Sequence, residues 1–396
     1  MVKLCDAAVH GATGDGRTDD TASLRAAIEA CRGGGEVLLR APGRFLTAAL
    51  NLSSHLTLTL EAGSALIGVP ESGRFPLLPP LPSYGGSRDV NCFETGHVVH
   101  GIVPGAWRHA PLLGCFDAVN VTIRGGGVVD GSGPYWYEMC NARRLRAGRP
   151  RLVEVHGCAD VAIRDLTFVD SPFWTVHLVY SSRVSVLGLH VRSPSNALGN
   201  TDGVVIDSSS HVTVADCVLA TGDDGIAIKS GMDMPGRAYG RPTQHVTVRN
   251  VTSPPGSRGG LAIGSEMSGG VRDITVSDST FDGERGIKLK SCPGRGGYIE
   301  DVAVDRVHVS RGGVKLSMKY LGQVEGGPVP RLSNLSFSRL TGGGRCSFAA
   351  CRLAQGGRCP GLKVYDVQIA GCLPHKSRDV RPQLGPDVRP WYDLRE

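Results

Sequence analysis

A four-residue unit recurs along most of this chain and constrains its fold more than any other feature. Each copy holds a variable residue, an aliphatic residue, a small or polar residue, and then an aliphatic residue or phenylalanine. The ten copies begin at His55, Asn120, Asp160, Arg183, His211, His245, Asp273, Asp301, Asn334 and Gly361. From the third copy onward, their starting residues are 23, 28, 34, 28, 28, 33 and 27 residues apart. Alternation of apolar residues with a period of two predicts short β-strands rather than helices.

A second set of strand-like segments lies between these copies, and each segment begins with a glycine. The segments are GVVIDS at 203–208, GIAIKS at 225–230, GLAIGS at 260–265, GIKLKS at 286–291 and GVKLSM at 313–318. The first and third residues after the glycine are always aliphatic. We therefore expect these residues to point into a core, and the second and fourth to point outward.

Repeats of this length, each with several short strands, predict an all-β fold, a right-handed single-stranded parallel β-helix. A β-propeller is the alternative, but its blades would repeat every ~40–45 residues, which these intervals do not. We expect one domain over 1–396, with a cap over about 1–50, coils over about 51–375 and a tail over about 376–396. A short capping helix is predicted within 14–31, capped by Thr18 or Asp19, and a long loop is predicted over 70–110.

Charge and cysteine content narrow the classes of function. The net charge is +6, which suits an acidic substrate but is too dispersed to favour nucleic acid. No run of 18 apolar residues exists, so we expect no membrane span. The first residues, MVKLCDAAVHGATGDG, show no signal peptide. We nevertheless expect an extracellular protein, because the chain has 12 cysteines, and a C-terminal cluster of them predicts disulfides rather than zinc: Cys346, Cys351, Cys359 and Cys372.

Three carboxylates come together when the glycine-led segments are aligned. The residue before each glycine is then Asp202, Asp224, Gly259, Arg285 or Gly312. This alignment predicts that Asp202 and Asp224 occupy the same position on consecutive coils, with Asp223 beside them. Such a pair or triad suits glycosidic hydrolysis, in which one carboxyl donates a proton and another activates water.

Basic residues are expected to continue the same face. Among the outward positions are Lys229, Lys288, Lys290 and Lys315. The segment SPFWTVHLV at 171–179 can be threaded the same way, which places His177 outward and Trp174 in the column of Asp202. Cations beside a carboxylate cluster suggest a substrate that itself carries carboxylates, such as a uronic-acid polymer.

The ordered motifs resemble those of glycoside hydrolase family 28, the polygalacturonases and their relatives. The motifs that carry the resemblance are GDGRTDDTASLRAAI, SPFWTVH, NTD at 200–202, GDD at 222–224, GLAIGSEMSGG at 260–270 and GIKLKS at 286–291. The resemblance implies a pectin-lyase-like β-helix that hydrolyses α-1,4-galacturonosyl bonds with inversion, without metal or cofactor. It also implies that Asp223 is the general acid, that Asp202 and Asp224 activate water, and that Lys290 contacts a substrate carboxylate.

Two positions depart from the family pattern. Lys288 stands where the family has the arginine of its RIK motif, and Ser257-Arg258-Gly259-Gly260 replaces the family's GHG histidine. Arg285 is a candidate to compensate for the first change, and Arg258 or His177 for the second. We count these residues, with Lys288, Lys290, Lys229 and Asn200 of the NTD motif, as the candidate substrate-binding set.

Other functions stay open on the sequence. A catalytically silent β-helix that binds acidic polysaccharide is one alternative, and the missing histidine and arginine are its main support. A pectate lyase shares the architecture but needs calcium and an arginine base. Related hydrolases of pectin are further alternatives, namely exo-polygalacturonase, xylogalacturonan hydrolase and rhamnogalacturonan hydrolase. We expect a monomer whose partner is an acidic, pectic polysaccharide.

Overall fold

Short strands dominate the chain, as the repeated unit predicts. The computed structural model describes residues 2–85, 87–89, 102–104, 107–193, 199–318, 320, 327–347 and 359–370. The strands are β1 Leu4–Asp6, β2 Asp15–Asp19, β3 Gly35–Leu39, β4 Arg44–Thr47, β5 Leu50–Leu52, β6 Leu56–Leu60, β7 Ala65–Gly68, β8 Leu77–Leu78, β9 Ser87–Asp89, β10 Ile102–Pro104, β11 Arg108–His109, β12 Leu113–Phe116, β13 Val119–Gly125, β14 Val128–Asp130, β15 Val153–His156, β16 Ala159–Arg164, β17 Thr167–Val169, β18 Val176–Val179, β19 Ser182–Leu187, β20 His190–Ser193, β21 Val204–Asp207, β22 Ser210–Thr221, β23 Ile226–Lys229, β24 Thr243–Ser253, β25 Leu261–Gly264, β26 Val271–Phe281, β27 Ile287–Lys290, β28 Tyr298–Val309, β29 Val314–Ser317, β30 Arg331–Gly343 and β31 Lys363–Ala370.

Helices are few and short. They are α1 Thr21–Ala30, α2 Gly133–Asn141 and α3 Asp233–Tyr239, with 3₁₀ turns at Ala7–His10, Ser72–Arg74 and Pro82–Tyr84. The chain divides into two compact units. The N-terminal unit is Met1–Leu81, Gly85–Val205 and Ala220–Asp223, and the C-terminal unit is Pro82–Tyr84, Ile206–Leu219 and Asp224–Glu396.

The first residue of the repeated four-residue unit has a defined backbone role. In all ten copies, from His55 to Gly361, this residue is left-handed, with φ between 51° and 72°. Glycine, asparagine and aspartate adopt that conformation at the lowest cost, and six of the ten copies begin with one of them. The residue therefore bends the backbone near the beginning of a strand, within its first four residues or just before it, which explains why it is rarely apolar.

Parallel ladders build the N-terminal unit. β13 pairs in parallel with β6 and β16, and β16 pairs with β19. A second ladder runs through β5, β12, β15 and β18. Register stacks like residues from coil to coil, as in Val121, Val161 and Val184, and all three are buried. These stacks are the core that the alternating pattern predicts.

The C-terminal unit repeats this arrangement and confirms the glycine alignment. β24, β26, β28, β30 and β31 form one parallel ladder, and β23, β25, β27 and β29 form another. In the second ladder Ala262 pairs with Ala227 and Lys288, and Lys288 pairs with Lys315. The N–H of Ser208 donates to the carbonyl of Lys229 at 3.1 Å, which sets β21 and β23 at the predicted offset of 22 residues.

Most outward positions of this face are buried rather than exposed. The side chains of Ala227 and Ala262 are fully buried, and Lys229 is 5% exposed. Residues distant in the chain contact some of these outward positions. The carboxylate of Asp207, for example, accepts a hydrogen bond from the Tyr84 hydroxyl.

The predicted capping helix is confirmed, but its cap is different. α1 buries Leu24, Ala27 and Ile28, and its N-cap residue is Asp20 rather than Thr18 or Asp19. The Asp19 carboxylate instead accepts the first-turn N–H of Thr21 at 2.9 Å. Thr18 does not cap the helix; its N–H and hydroxyl both donate to the Asp15 carboxylate.

Disulfides are present, as the cysteine count predicts. Cys5 in β1 bonds to Cys31 at the end of α1. Cys140, Cys346 and Cys359 are also disulfide-bonded. Cys351, Cys372, the predicted tail over 376–396 and part of the predicted loop over 70–110, namely 86, 90–101 and 105–106, lie outside the described residues. Over the described residues, no helix has the length and apolar character needed to cross a membrane.

Candidate active site

Two of the three candidate catalytic carboxylates lie together in the N-terminal unit. A carboxylate oxygen of Asp202 and one of Asp223 are within 4.8 Å of each other. Asp202 is 2% exposed, whereas Asp223 is partly exposed. The N–H of Asn200 donates to Asp223 Oδ2 at 3.2 Å, so Asn200 contacts the cluster through its backbone. The Thr221 hydroxyl donates to the carbonyl of Asp223 at 2.8 Å and fixes the turn that carries it.

The neighbouring coil confirms the threading of SPFWTVHLV. The N–H of Thr175 donates to the carbonyl of Asp202, and that of Val176 to Gly203, both at 2.9 Å. These bonds place Trp174 beside Asp202 in the ladder, as the alignment predicts.

His177 occupies an outward-facing position of its strand, yet it does not reach solvent. It is fully buried, and its ring lies edge-on to Trp174 with centroids 4.8 Å apart. Its register partner is Glu154, whose Oε2 lies 4.0 Å from His177 Nδ1. His177 is therefore held against a charged group inside the protein.

Glu154 is a buried carboxylate that the sequence reasoning missed. Arg108 Nη1 lies 2.5 Å from its Oε2, and His156 Nδ1 lies 3.4 Å from its Oε1. Burial alone would raise the pKa of Glu154, but Arg108, His156, His177 and Arg151 hold it well below its usual value. The alternating charged residues of GRPRLVEVH at 148–156 were the available signal, since a buried strand seldom carries that many charges.

Asp224, the third candidate carboxylate, is held by two cations within the C-terminal unit. Lys290 Nζ lies 2.7 Å from its Oδ2, and Arg285 Nη1 lies 2.8 Å from its Oδ1. Burial acts to raise the pKa of Asp224, but Lys290 and Arg285 outweigh it and hold the pKa well below its usual value. Asp224 is therefore an ionised carboxylate over the whole physiological range.

Lys288, unlike Lys290 and Arg285, has no carboxylate within ion-pair distance among the described residues. It lies in β27 between Ala262 and Lys315 in the ladder. Burial and the charges of Arg285, Lys290 and Lys315 lower its pKa to about 8, although the charge of Asp224 opposes them. Its ammonium group is thus charged at neutral pH and neutral in mild alkali.

Two other candidate binding residues have carboxylate partners within the C-terminal unit. Lys229 Nζ lies 2.5 Å from Glu266 Oε2, and both side chains are largely buried. Arg258 Nε lies 3.7 Å from Glu284 Oε2 at the surface. Substrate binding by Lys229 and Arg258 stays a prediction. Glu266 lies within the GSEMSGG motif, but the sequence reasoning gave it no role.

Comparison with known proteins agrees with the motif series. Residues 108–381 match the family profile "Glycosyl hydrolases family 28". A probable polygalacturonase of Vitis vinifera is 35% identical over 301 residues, which are 74% of this chain and 58% of that protein. The chain therefore spans less than two thirds of that relative's length. An endo-polygalacturonase of Pectobacterium parmentieri is 26% identical over 338 residues, which are 81% of this chain and 77% of that protein.

Solved structures give the same fold. An exopolygalacturonase from Thermotoga maritima superposes with a TM-score of 0.77 at 25% identity, covering 94% of this chain and 88% of that one. A polygalacturonase from Erwinia carotovora superposes with a TM-score of 0.70 at 20% identity, covering 97% of both chains. The fold is thus the predicted pectin-lyase-like right-handed parallel β-helix.

Proposed function

Because this chain belongs to glycosyl hydrolases family 28 and is a glycoside hydrolase, we propose that it hydrolyses α-1,4-galacturonosyl bonds of a pectic polysaccharide. In this proposal Asp202, Asp223 and Asp224 are the catalytic carboxylates, with Asp223 as the general acid and Asp202 and Asp224 activating water. The observation that carries the proposal is the approach of Asp202 and Asp223 to within 4.8 Å in the N-terminal unit.

The surroundings of each carboxylate support this division of roles. Asp223 is the more exposed, which suits a group that must deliver a proton to the leaving oxygen of a bound polymer. Asp224 is kept ionised by Lys290 and Arg285, so it can accept a hydrogen bond from the attacking water and orient it, although its lowered pKa makes it a weak base. The proposed roles thus rest on the different environments of the three aspartates.

Inversion of the anomeric centre is part of the proposal and rests on the family resemblance. The two carboxyl groups of most inverting glycosidases are ~6.5–9.5 Å apart, which leaves room for a water molecule. The Asp202–Asp223 approach is closer than that. Proton NMR of the first product decides the point. Inversion gives the β-anomer from an α-linked polymer, and an initial α-anomer contradicts it.

The proposal of an acidic polysaccharide as substrate rests on the basic side chains of the candidate site. Lys288 is charged at neutral pH and carries no carboxylate partner among the described residues, so we propose that it binds a galacturonate carboxylate. The family has an arginine at this position, which can bind a carboxylate through two hydrogen bonds, whereas lysine offers a point charge. We therefore expect weaker binding of the substrate carboxylate but the same preference for a negatively charged substrate. Polygalacturonate should therefore be cleaved faster than its methyl ester.

Product analysis separates this function from its rivals. The proposed enzyme releases reducing ends from polygalacturonate, is unaffected by EDTA, and forms no product that absorbs in the ultraviolet. Ultraviolet-absorbing, calcium-dependent products would identify a lyase instead. Binding to polygalacturonate without turnover on any pectic polymer would favour the silent β-helix. The support for that alternative is that Lys288 and Arg258 stand in the segments where the family has its arginine and its histidine.

We also propose that the protein acts outside the cell, as a monomer. Support for the compartment comes from the disulfides at Cys5–Cys31, Cys140, Cys346 and Cys359, since such bonds persist in oxidising environments. Treatment with a thiol reductant should lower the midpoint of thermal unfolding, and a cytosolic enzyme with reduced cysteines would show no change.

A further inference from the structure

Both oxygens of the Asp224 carboxylate accept hydrogen bonds from cations of the C-terminal unit. Arg285 Nη1 donates to Oδ1 at 2.8 Å and Lys290 Nζ donates to Oδ2 at 2.7 Å. The Asp224 side chain is only 3% exposed, and those of Arg285 and Lys290 are 20% and 9% exposed. Two cations thus fix this carboxylate in one orientation.

The two cations come from opposite ends of one strand. Arg285 lies two residues before Ile287, the first residue of β27, and Lys290 is its last residue. The backbone of Arg285 is itself fixed, because its N–H donates to the carbonyl of Arg258 at 2.8 Å. A side chain on Gly260 is also excluded, because its Cβ would lie 2.0 Å from the carbonyl oxygen of Arg285. The Arg285 side chain therefore extends from a backbone position that is held in place.

We propose that Arg285 is a positioning residue for Asp224. Its guanidinium holds Oδ1 while Lys290 holds Oδ2, and together they orient the Asp224 carboxylate toward the attacking water. This inference rests on the proposed function, in which Asp224 helps to activate water. It differs from the role suggested by the sequence, in which Arg285 compensates for the missing family arginine by gripping a substrate carboxylate. The guanidinium instead contacts a carboxylate of the enzyme.

The choice of arginine has a physical reason. Its planar guanidinium fixes the direction of a hydrogen bond, whereas a lysine ammonium group is a rotatable point charge. Both cations favour the ionised form of Asp224, but only the guanidinium supplies a hydrogen-bond donor of fixed direction. A misplaced base lowers the rate of the chemical step more than it lowers substrate binding.

The first experiment compares pH profiles of Arg285→Gln, Arg285→Lys and the wild-type chain on polygalacturonate. We expect Arg285→Gln to lower kcat roughly 10-fold to 100-fold with little change in KM. The acid limb of its kcat profile should move to higher pH, because Asp224 loses a cation that favours its ionised form. Arg285→Lys should restore the acid limb but only part of the rate.

A matched control uses a surface arginine with the same kind of partner. Arg306 pairs with Asp278 through Nε and Nη2, at 2.6 and 2.8 Å, on the exposed side of β28. Arg306→Gln should leave kcat, KM and the pH profile unchanged. A rise in KM for Arg285→Gln with an unchanged acid limb would overturn the proposal and assign Arg285 to the substrate.

The second experiment needs no activity. A double-mutant cycle on the unfolding midpoint compares Arg285→Gln, Asp224→Asn and the double variant at pH 7 and at acid pH. We expect the double variant to lose less stability than the two single variants together at pH 7, and this coupling to shrink in acid. Additive losses at pH 7 would overturn the Arg285–Asp224 coupling.

The outcomes separate this inference from the proposed function. A wild-type chain that hydrolyses no pectic polymer overturns the proposed function, and the catalytic role of Arg285 falls with it. An active wild type whose rate and pH profile survive Arg285→Gln overturns the positioning role alone.

Discussion

Lys229 Nζ lies 2.5 Å from Glu266 Oε2, and the two side chains are only 7% and 14% exposed. Lys229 is the last residue of β23, and Glu266 follows β25. A buried charge that loses its partner is expensive, because the remaining ion is neither solvated nor neutralised. This pair therefore ties the segment after β25 to the ladder.

Replacing Lys229 by methionine should cost about 3–5 kcal/mol of unfolding free energy, because Glu266 would remain buried without its partner. Urea unfolding followed by circular dichroism measures the loss. Arg183→Met is the matched control, since Arg183 makes its ion pair with Asp160 at the surface, with both side chains more than half exposed. It should change stability little, and equal losses in the two variants would contradict the account.

The same pair predicts a dependence of stability on pH. Burial would raise the pKa of Glu266, but Lys229 and Arg295 lower it to about 2. A carboxylate whose pKa is depressed in the folded state contributes stability above its unfolded pKa, about 4.3, and loses that contribution as pH falls toward 2. Between about pH 5 and about pH 2, the unfolding free energy of Glu266→Gln should therefore fall less than that of the wild type. Parallel curves would show that Glu266 is not responsible.

Gly286→Ala should destabilise the C-terminal unit through a backbone clash. An added Cβ would lie 2.2 Å from the carbonyl oxygen of Gly313 on the next coil. We expect a loss of about 1–3 kcal/mol, the usual cost of forcing extra volume into a packed site. Gly73→Ala is the control, because its Cβ would meet nothing within 4 Å. Thermal unfolding of the two variants checks this, and a stable Gly286→Ala would contradict the close approach of the coils.

Deprotonation of Lys288 should weaken substrate binding in mild alkali. Its pKa is lowered to about 8, so its positive charge is present below that pH and is lost above it. We expect the KM for polygalacturonate to rise as pH passes 8, and to stay low in Lys288→Arg, whose guanidinium remains charged. Steady-state kinetics across this range provides the measurement. The same rise in both proteins would assign it to another group.

The sequence predicted the coils because their information is local. Each strand carries its own alternation, and each turn carries a residue suited to the left-handed conformation, as in Asn120 and Asp160. The glycine column also marks places where backbones approach closely, as Gly260 and Gly286 show. Alignment of these glycines was therefore sufficient to predict the offset between coils.

The surroundings of the outward face could not be predicted in this way. The burial of Lys229 depends on Glu266, and that of Asp207 on Tyr84, which is 123 residues away in the chain. The burial of His177 against Glu154 likewise needs the register of two strands. Such contacts depend on tertiary structure, which no local pattern encodes.

Asp223→Asn tests the central claim most directly. The asparagine keeps the size of the side chain but cannot donate the proton that the leaving oxygen requires. We predict that release of reducing ends from polygalacturonate falls about 100-fold to 10,000-fold, with an unchanged unfolding midpoint. Asp160→Asn, at an exposed ion pair of β16, should retain full activity. An Asp223→Asn variant that still hydrolyses polygalacturonate at the wild-type rate would contradict the account.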